Sequence, residues 1–417
     1  MEKNRIPVVI IGCGPAGAST SIFLTKFNIP HVVLEKETFP RDKICGDGCS
    51  GKTSFVLRKA NPEFLTELFA NKQEFLSSNG ITFSAPNGNS IDVPFPVNKL
   101  VNGQPIGFTS KRLVFDNFLY EKAKGPMSTI HEQVSIIDID KIDNGYRVTY
   151  KKNNGEPTTI ECTLLIGADG DKGITRKKIL KNNQVSKSSA VGLRAYYKGV
   201  TGMHKEDFLE LHFLTEVLPG YFWIFPLPNG DANIGIGMNA EIARKKKINL
   251  REAMLKAISE NPLIKDRFKN ATLTDKIYGW GLPTGEKKTK VSGDNFMMVG
   301  DAASLVDPFS GEGIGNALFS GMLAAEVAVK AIAAQNYDAA FFDENYDTVL
   351  FRRIGDELKL SYTMQKLVSY PWLMNLVINK ANKSPSLQKT ISSMFTDMDV
   401  RALLKKPSFY WNILVNK

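Results

Sequence analysis

RIPVVIIGCGPAG, residues 5–17, is the stretch on which the reading of this 417-residue chain turns. Val8 to Ile11, with Ile6 just before them, form a short unbroken apolar run, the pattern of a strand covered on both faces inside a parallel sheet. Gly12, Gly14 and Gly17 follow in G-x-G-x-x-G spacing around Pro15 and Ala16, and a helix-compatible run covers Ala18 to Phe27. A second strand, His31 to Leu34, leads into Glu35, 18 residues after Gly17. In such a unit Gly12 makes the tight turn and Gly14 lets the backbone approach a pyrophosphate. Gly17 lets the helix pack on the strand, and the helix N-terminus faces the phosphate charge. Glu35 stands where an acid accepts hydrogen bonds from a ribose hydroxyl pair. Strand, helix, second strand and acid occur together, which predicts a dinucleotide site rather than an ordinary βα turn.

The rest of the chain bounds what that site can serve. Its length predicts two or three domains, and 43% hydrophobic against 23% charged residues is the balance of a globular protein. The N-terminus lacks the order of a signal peptide, and no window is read as reaching the ~20 apolar residues of a membrane span. Cys13, Cys45, Cys49 and Cys162 are too few and too scattered for a disulfide scaffold, so the expected compartment is the cytoplasm. A net charge of +10 favours anionic partners: nucleotide phosphates, substrate phosphates or a lipid surface. Nucleic acid is not expected, because no dense basic tract with interleaved aromatics appears; Arg244 to Lys247 reads as a solvated helix face.

Beyond the second strand, FPRDKICGDGCSGK (39–52) reads as a loop beside the nucleotide site, where Arg41 and Lys43 could meet phosphates. The C-x-x-x-C spacing of Cys45 and Cys49 is not that of a zinc site, and no metal is expected. Cys45, with Gly46 and Asp47 after it, reads either as a reactive thiol or proton donor or as a small residue filling space. Helical spacing covers 54–76 and, with a Thr or Ser cap, 109–125; short strands lie between them. VSIIDID and YRVTYKK form a hairpin through Asn144-Gly145, and the strand TTIECTLLIGADG brings Asp169 and Gly170 to a sheet's carboxyl edge.

A second region of strand patterns runs from Val191 to about Tyr278 and centres on LPGYFWIFPLPNGDANIGIG, 218–237. Tyr221, Trp223 and Phe225 alternate onto one strand face. Pro226 ends that strand, and 232–238 returns beside it with Gly235 and Gly237. An apolar pocket wall is read here in preference to plain core. Asn249 to Asn261 reads as an amphipathic helix. At FMMVGDAASLVDPFSGEGIGNALF the chain returns to the first domain: a strand at 296–299, then Gly300-Asp301, Pro308, Gly311 and Gly313, then a helix from Ile314 to Ala334. That loop and helix N-terminus form a second anion-binding surface. From Tyr337 onward the pattern is helical, with an uncharged stretch over 367–379 that reads as a packing helix in preference to a pocket cap or membrane contact.

These motifs together resemble the FAD-dependent monooxygenase and reductase superfamily with the para-hydroxybenzoate hydroxylase type of fold. They are Gly12-x-Gly14-x-x-Gly17 with Glu35, GADG at 167–170, and GDA-x-x-x-x-x-P at 300–308. Within it, Cys45-Gly46-Asp47-Gly48 after the Phe-Pro-Arg loop, and Tyr221-x-Trp223-x-Phe225-Pro226 with Gly235-x-Gly237, resemble the geranylgeranyl reductase family. The resemblance implies an α/β chain: a Rossmann-type FAD-binding domain (1–80, 108–180 and 280–336), an inserted antiparallel-sheet substrate domain (81–107 and 181–279) and a C-terminal helical region (337–417). It implies FAD held by Gly12, Gly14, Pro15, Ala16, Gly17, Glu35, Lys36, Arg41, Cys45, Gly46, Arg112, Asp169, Gly170, Gly300, Asp301, Pro308, Gly311, Gly313 and Ile314. Arg176 also resembles an arginine near the flavin, although Lys172-Gly173 departs from the relatives, which often carry Ser there.

The implied activity is saturation of prenyl double bonds on a lipid or diphosphate. Tyr221, Trp223, Phe225, Pro226, Gly235 and Gly237 would meet the substrate, and Cys45, Gly46, Asp47, Tyr221 and Trp223 would take part in catalysis. No second G-x-G-x-x-G marks a domain for a nicotinamide, so the reductant is NAD(P)H met transiently or a ferredoxin-like protein. Peripheral contact with the cytoplasmic face of a membrane would suit such a substrate. The alternative is a flavin monooxygenase or halogenase acting on an apolar or aromatic substrate, because the 221–226 motif also resembles the Trp-x-Trp-x-Ile-Pro of halogenases; Lys52 is the lysine such chemistry would need.

Overall fold

The computed structural model describes residues 5–95, 103–153, 155–180, 189–385 and 387–388. The first apolar run forms the strand Ile6–Ile11, whose last four residues are buried, and the helix Pro15–Lys26 starts with proline at its first turn, where no N–H is needed. His31–Leu34 lies parallel beside the first strand on one side and Thr158–Gly167 on the other. Phe296–Met298 and Ser128–His131 extend this parallel sheet at its two ends. The register pairs Ile11 with Leu34 and with Gly167, and Gly167 with Met298. All four chain segments therefore leave the sheet at one edge, carrying Gly12, Glu35, Asp169 and Asp301 to a common rim. The hairpin of Val134–Ile142 and Gly145–Lys152 continues the sheet antiparallel to the first half of Thr158–Gly167.

Helix Ile314–Ala334 packs against Pro15–Lys26. A Cβ on Gly321 would lie 2.3 Å from the Ala16 carbonyl, so only glycine permits this crossing distance. The 314–334 helix is, by length and composition, apolar enough to cross a membrane, which corrects the reading that no window is; two thirds of the window in question is buried inside the protein.

The second sheet places Leu209–His212, Tyr221–Pro226, Asp231–Asn239 and Ala190–Lys198 side by side, antiparallel. Tyr278–Leu282 follows next to the last of these, and the hairpin of Gly80–Ser84 and Ser90–Pro94 lies on the far side. A small third sheet of Gly48–Cys49, Gly107–Thr109 and Leu76–Ser78 lies where the chain passes between the two. This changes two expectations. Helix over 54–76 is broken into Gly51–Ala60 and Glu63–Ala70, because Asn61-Pro62 interrupts it, and Leu76 is a strand residue. The helix expected over 109–125 spans Arg112–Ala123 with no side-chain cap, Thr109 being drawn into a strand.

After Ile314–Ala334 the described chain stays helical to Ala381. The last helix, Pro371–Ala381, lies on the 80–94 hairpin: the Asn375 side chain accepts from Asn87 N, and the Asn382 side chain donates to the Ser90 carbonyl. Its packing role agrees with the reading of 367–379, while Tyr370 and Trp372 stay exposed. The region from 389 to the end, assigned to the helical tail by its sequence, lies outside the described residues.

Candidate active site

A cavity of 1410 Å³ runs from the common rim of the parallel sheet to the face of the second sheet. Its first end is the glycine turn. Gly12 has φ +97°, and a Cβ there would lie 2.5 Å from the Ala168 carbonyl. A Cβ on Gly17 would lie 1.9 Å from the Gly12 carbonyl, so helix and turn close on each other as glycine alone allows. Gly14 is different: its nearest neighbour would be Arg41 Nη2 at 3.5 Å, which leaves open space in front of the turn for a ligand phosphate. The Glu35 carboxylate accepts from Cys13 N at 2.5 Å and Glu37 N at 2.8 Å, which pins it at the end of the second strand. Lys36 is exposed at the cavity edge, beside Glu37.

Asp116 organises the basic residues of this end. Its carboxylate accepts from Arg112 Nε and Nη2 (2.6 and 2.8 Å) and from Arg41 Nη1 (2.6 Å). Burial alone would push Asp116 up, but the two guanidinium groups outweigh it and hold the carboxyl below its ordinary value. The Asp169 carboxylate is turned back onto its own loop, accepting from Thr175 N and Oγ1, both at 2.8 Å. Asp301 lines the cavity with Lys43 Nζ 3.9 Å away. Gly300, Gly170 and Gly311 all hold positive φ. Pro308, Gly313 and Ile314 also face the cavity. Arg176 lies behind the loop, donating to Ala302 O and Ser304 Oγ, and braces it.

The second end is aromatic. Tyr221, Trp223 and Phe225 share one strand face, and the partner residues opposite Tyr221 and Trp223 are Gly237 and Gly235. A Cβ on Gly235 would lie 2.0 Å from the Trp223 ring, so this glycine makes room for the indole and does not line the cavity; Gly237 does. Pro226 also stays out of the cavity, its carbonyl accepting from Thr109 Oγ1. The loop of Cys45 to Gly48 lies against these rings: a Cβ on Gly46 or on Gly48 would come within 3.3 Å of Phe225.

A buried network that single residues of the sequence did not announce ties loop to wall. Asn233 Oδ1 accepts from Trp223 Nε1 at 2.9 Å, and its Nδ2 donates to Cys45 O and Asp47 Oδ2, each at 2.8 Å. Tyr196 Oη donates to the same Asp47 oxygen at 2.7 Å. Asp47 is 0% exposed with φ +64°, and burial pushes its carboxyl up to about 6 against those hydrogen bonds. The Cys45 thiol lies beside the Arg112 guanidinium. Arg194, 1% exposed and stacked 4.0 Å over Tyr196, donates to Asp42 at 2.6 Å. Strand alternation offered a signal for both: Asn233 shares a face with Gly235 and Gly237, and Arg194 is the register partner of Gly235. Glu312, also unread in the sequence, lines the cavity between Gly311 and Gly313. Lys52 is held by Asn316 Oδ1 at 2.7 Å and Glu357 Oε2 at 2.9 Å.

The chain has relatives along most of its length. A digeranylgeranylglycerophospholipid reductase of Methanococcus vannielii is 28% identical over 373 residues, 88% of each chain. A menaquinone reductase of Mycobacterium tuberculosis is 26% identical over 402 residues, 94% of this chain and 92% of its own. The solved structure of a geranylgeranyl bacteriochlorophyll reductase-like protein from Thermoplasma acidophilum shares the fold with TM-score 0.79 at 19% identity, over 96% of this chain and 98% of that one. The family described as FAD binding domain matches residues 5–325, a span that takes in the glycine turn, the 167–170 loop, the aromatic wall and the 300–313 loop together, and the chain belongs to that family.

Proposed function

We propose that this chain is an FAD-dependent reductase that saturates carbon–carbon double bonds of a geranylgeranyl-type chain carried on a lipid or a diphosphate. The observation that carries the reading is one cavity joining the dinucleotide rim to the Tyr221–Trp223–Phe225 wall, with apolar Leu209, Leu211 and Phe309 beyond it. The reductases that resemble this chain over most of its length support it. Burying an apolar chain there yields about 0.8 kcal/mol per CH₂, enough for C5 repeats to dominate affinity.

FAD, once bound and reduced, supplies hydride. Gly12, Gly14, Pro15, Ala16 and Gly17 would take its pyrophosphate, Glu35 and Lys36 its ribose side, and Arg41, Arg112, Asp169, Gly170, Gly300, Asp301, Pro308, Gly311, Gly313 and Ile314 the remainder. The chain's own groups do the rest. Tyr221, Trp223 and Phe225 exclude water and face any developing carbocation with ring π-clouds. The Asn233 hydrogen bonds fix Cys45, Gly46 and Asp47 against that wall. Residues 1–80, 108–180 and 280–336 would form the cofactor unit, although strand Tyr278–Leu282 crosses that boundary. The reductant would be a nicotinamide or a ferredoxin-like protein. Exposed Tyr370 and Trp372 support peripheral contact with the cytoplasmic face of a membrane, where such substrates reside.

The deciding assay is anaerobic. Dithionite-reduced holoprotein is mixed with a geranylgeranyl lipid or diphosphate, and a gain of two mass units per reduced bond is expected. A product formed only with oxygen, carrying an added oxygen or halogen atom, overturns the reading.

A further inference from the structure

Saturating a double bond takes a hydride and a proton, and because an isolated alkene has no carbonyl to hold the charge, the proton must be delivered as the hydride moves. We propose that Glu312 is the acid that delivers this proton, a role that rests on the prenyl reduction proposed above.

Glu312 stands in the cavity wall on a loop whose flanking residue Gly311 has φ +72°. Its Oε1 accepts from Gly315 N at 2.5 Å. A Cβ on Gly315 would lie 2.7 Å from Glu312 Oε1, 2.9 Å from Lys52 Cβ and 2.9 Å from Ser50 Oγ, so the missing side chain lets the Glu312 carboxyl, the Ser50 hydroxyl and the Lys52 stem close on one point. Burial pushes the Glu312 carboxyl up, Asp307 adds to it, and Gly315 N–H, Lys52 and Ser50 offset only part. Its proton is thus held more tightly than that of an exposed glutamate.

The other acids near the wall are committed elsewhere. Asp47 lines the cavity too, but its Oδ2 already accepts from Tyr196 Oη and Asn233 Nδ2, which tie it to the loop and wall. Asp307 Oδ1 already accepts from Phe309 N, Ser310 N and Ser310 Oγ. Tyr221 donates its proton to the Ser310 carbonyl at 2.5 Å. Cys45 is turned to Arg112, a permanent cation that offers no replacement proton. Behind Glu312, Lys52 Nζ donates to Asn316 Oδ1 at 2.7 Å and Glu357 Oε2 at 2.9 Å, and its charge acts on the Glu312 carboxyl.

In the step, the π bond breaks and two C–H bonds form. One carbon takes hydride from the reduced flavin, which is left two electrons oxidised, and the other takes the Glu312 proton. The resulting carboxylate regains a proton from water entering the cavity before the next turnover. A nicotinamide or ferredoxin-like donor restores the flavin.

The test compares Glu312→Gln with the wild type. Dithionite-reduced holoproteins are mixed anaerobically with geranylgeranyl diphosphate, and flavin reoxidation is followed across pH. The groups around Glu312 that also titrate or carry charge are Lys52, Asp307, Cys49 and Tyr221. The variant should bind FAD and the prenyl diphosphate as the wild type does, yet reoxidise about a hundredfold more slowly or worse. The wild-type rate should fall as pH rises through the Glu312 titration, and the variant should lose that limb. Infrared difference spectra of the apoproteins across the same pH range should show, beside the band of Asp47, a protonated-carboxyl component that the variant lacks, a readout independent of turnover and of flavin. An active wild type matched by the variant in rate and pH profile, or an identical carboxyl band in both, overturns the role of Glu312 alone. A wild type that saturates no prenyl chain overturns the reduction and this role with it.

Discussion

Asp47→Asn isolates the energetic cost of the network that joins the Cys45–Gly48 loop to the aromatic wall. Asp47 is 0% exposed, and burial raises its carboxyl from the ordinary 3.8 to about 6. At 1.36 kcal/mol per tenfold change in proton affinity, ionising it in place costs about 3 kcal/mol relative to the unfolded chain. The sign follows from linkage. Between pH 4 and 6 the folded protein holds a proton that the unfolded chain has released, so stability contributed here is present below pH 4 and is lost as pH rises through 6. Asparagine keeps the shape, tolerates the left-handed backbone at φ +64° as aspartate does, and never ionises. Tyr196, Asn233, Arg194 and Arg112, the other groups acting on this carboxyl, are untouched. Denaturant unfolding of wild type and variant at saturating FAD, from pH 4 to 8, should therefore show the variant gaining on the wild type by about 3 kcal/mol over that interval. A difference that does not change with pH would refute burial as the source of the shift.

Three further outcomes are expected. Gly14→Val should fold with wild-type thermal stability, since a Cβ there meets nothing closer than 3.5 Å, but should emerge from gel filtration without flavin absorbance; retained yellow colour would move the pyrophosphate elsewhere. Trp223→Ala should keep its flavin, lose prenyl-chain binding in a fluorescence titration, and cost about 3–5 kcal/mol of stability through the cavity left and the orphaned Asn233 oxygen. Cys45→Ala should leave both FAD content and the single-turnover rate unchanged; a slower rate at full flavin content would return the proton to the thiol.

The local units of this protein were legible because their signals are local. Strand, glycine turn, helix and acid from Ile6 to Glu35 fall within a few tens of residues, and backbone sterics at Gly12 and Gly17 admit few alternatives. The one-sided aromatic strand at 221–226 follows from the period of two along any strand. Even the meeting of the 6–17, 167–170 and 300–313 segments could be read, since each is an apolar strand leading into a polar turn at a carboxyl edge. What no window of sequence contained was the pairing of side chains across the two sheets. Asn233 joins Cys45, Asp47 and Trp223 over separations of up to 188 residues, and Asp116, besides its neighbour Arg112 one helical turn away, fixes Arg41 75 residues distant. Asn61-Pro62 split a helix that leucine spacing alone would have continued. Glu312 looked like one more residue in a glycine-rich loop until the Gly51–Ala60 helix brought Ser50 and Lys52 against it. Chain order and residue type determined which elements form and which edge carries the ligand. Only tertiary packing decided which polar groups are shut away from water, and desolvation, a property of surroundings rather than of sequence, is what raises the Asp47 and Glu312 carboxyls.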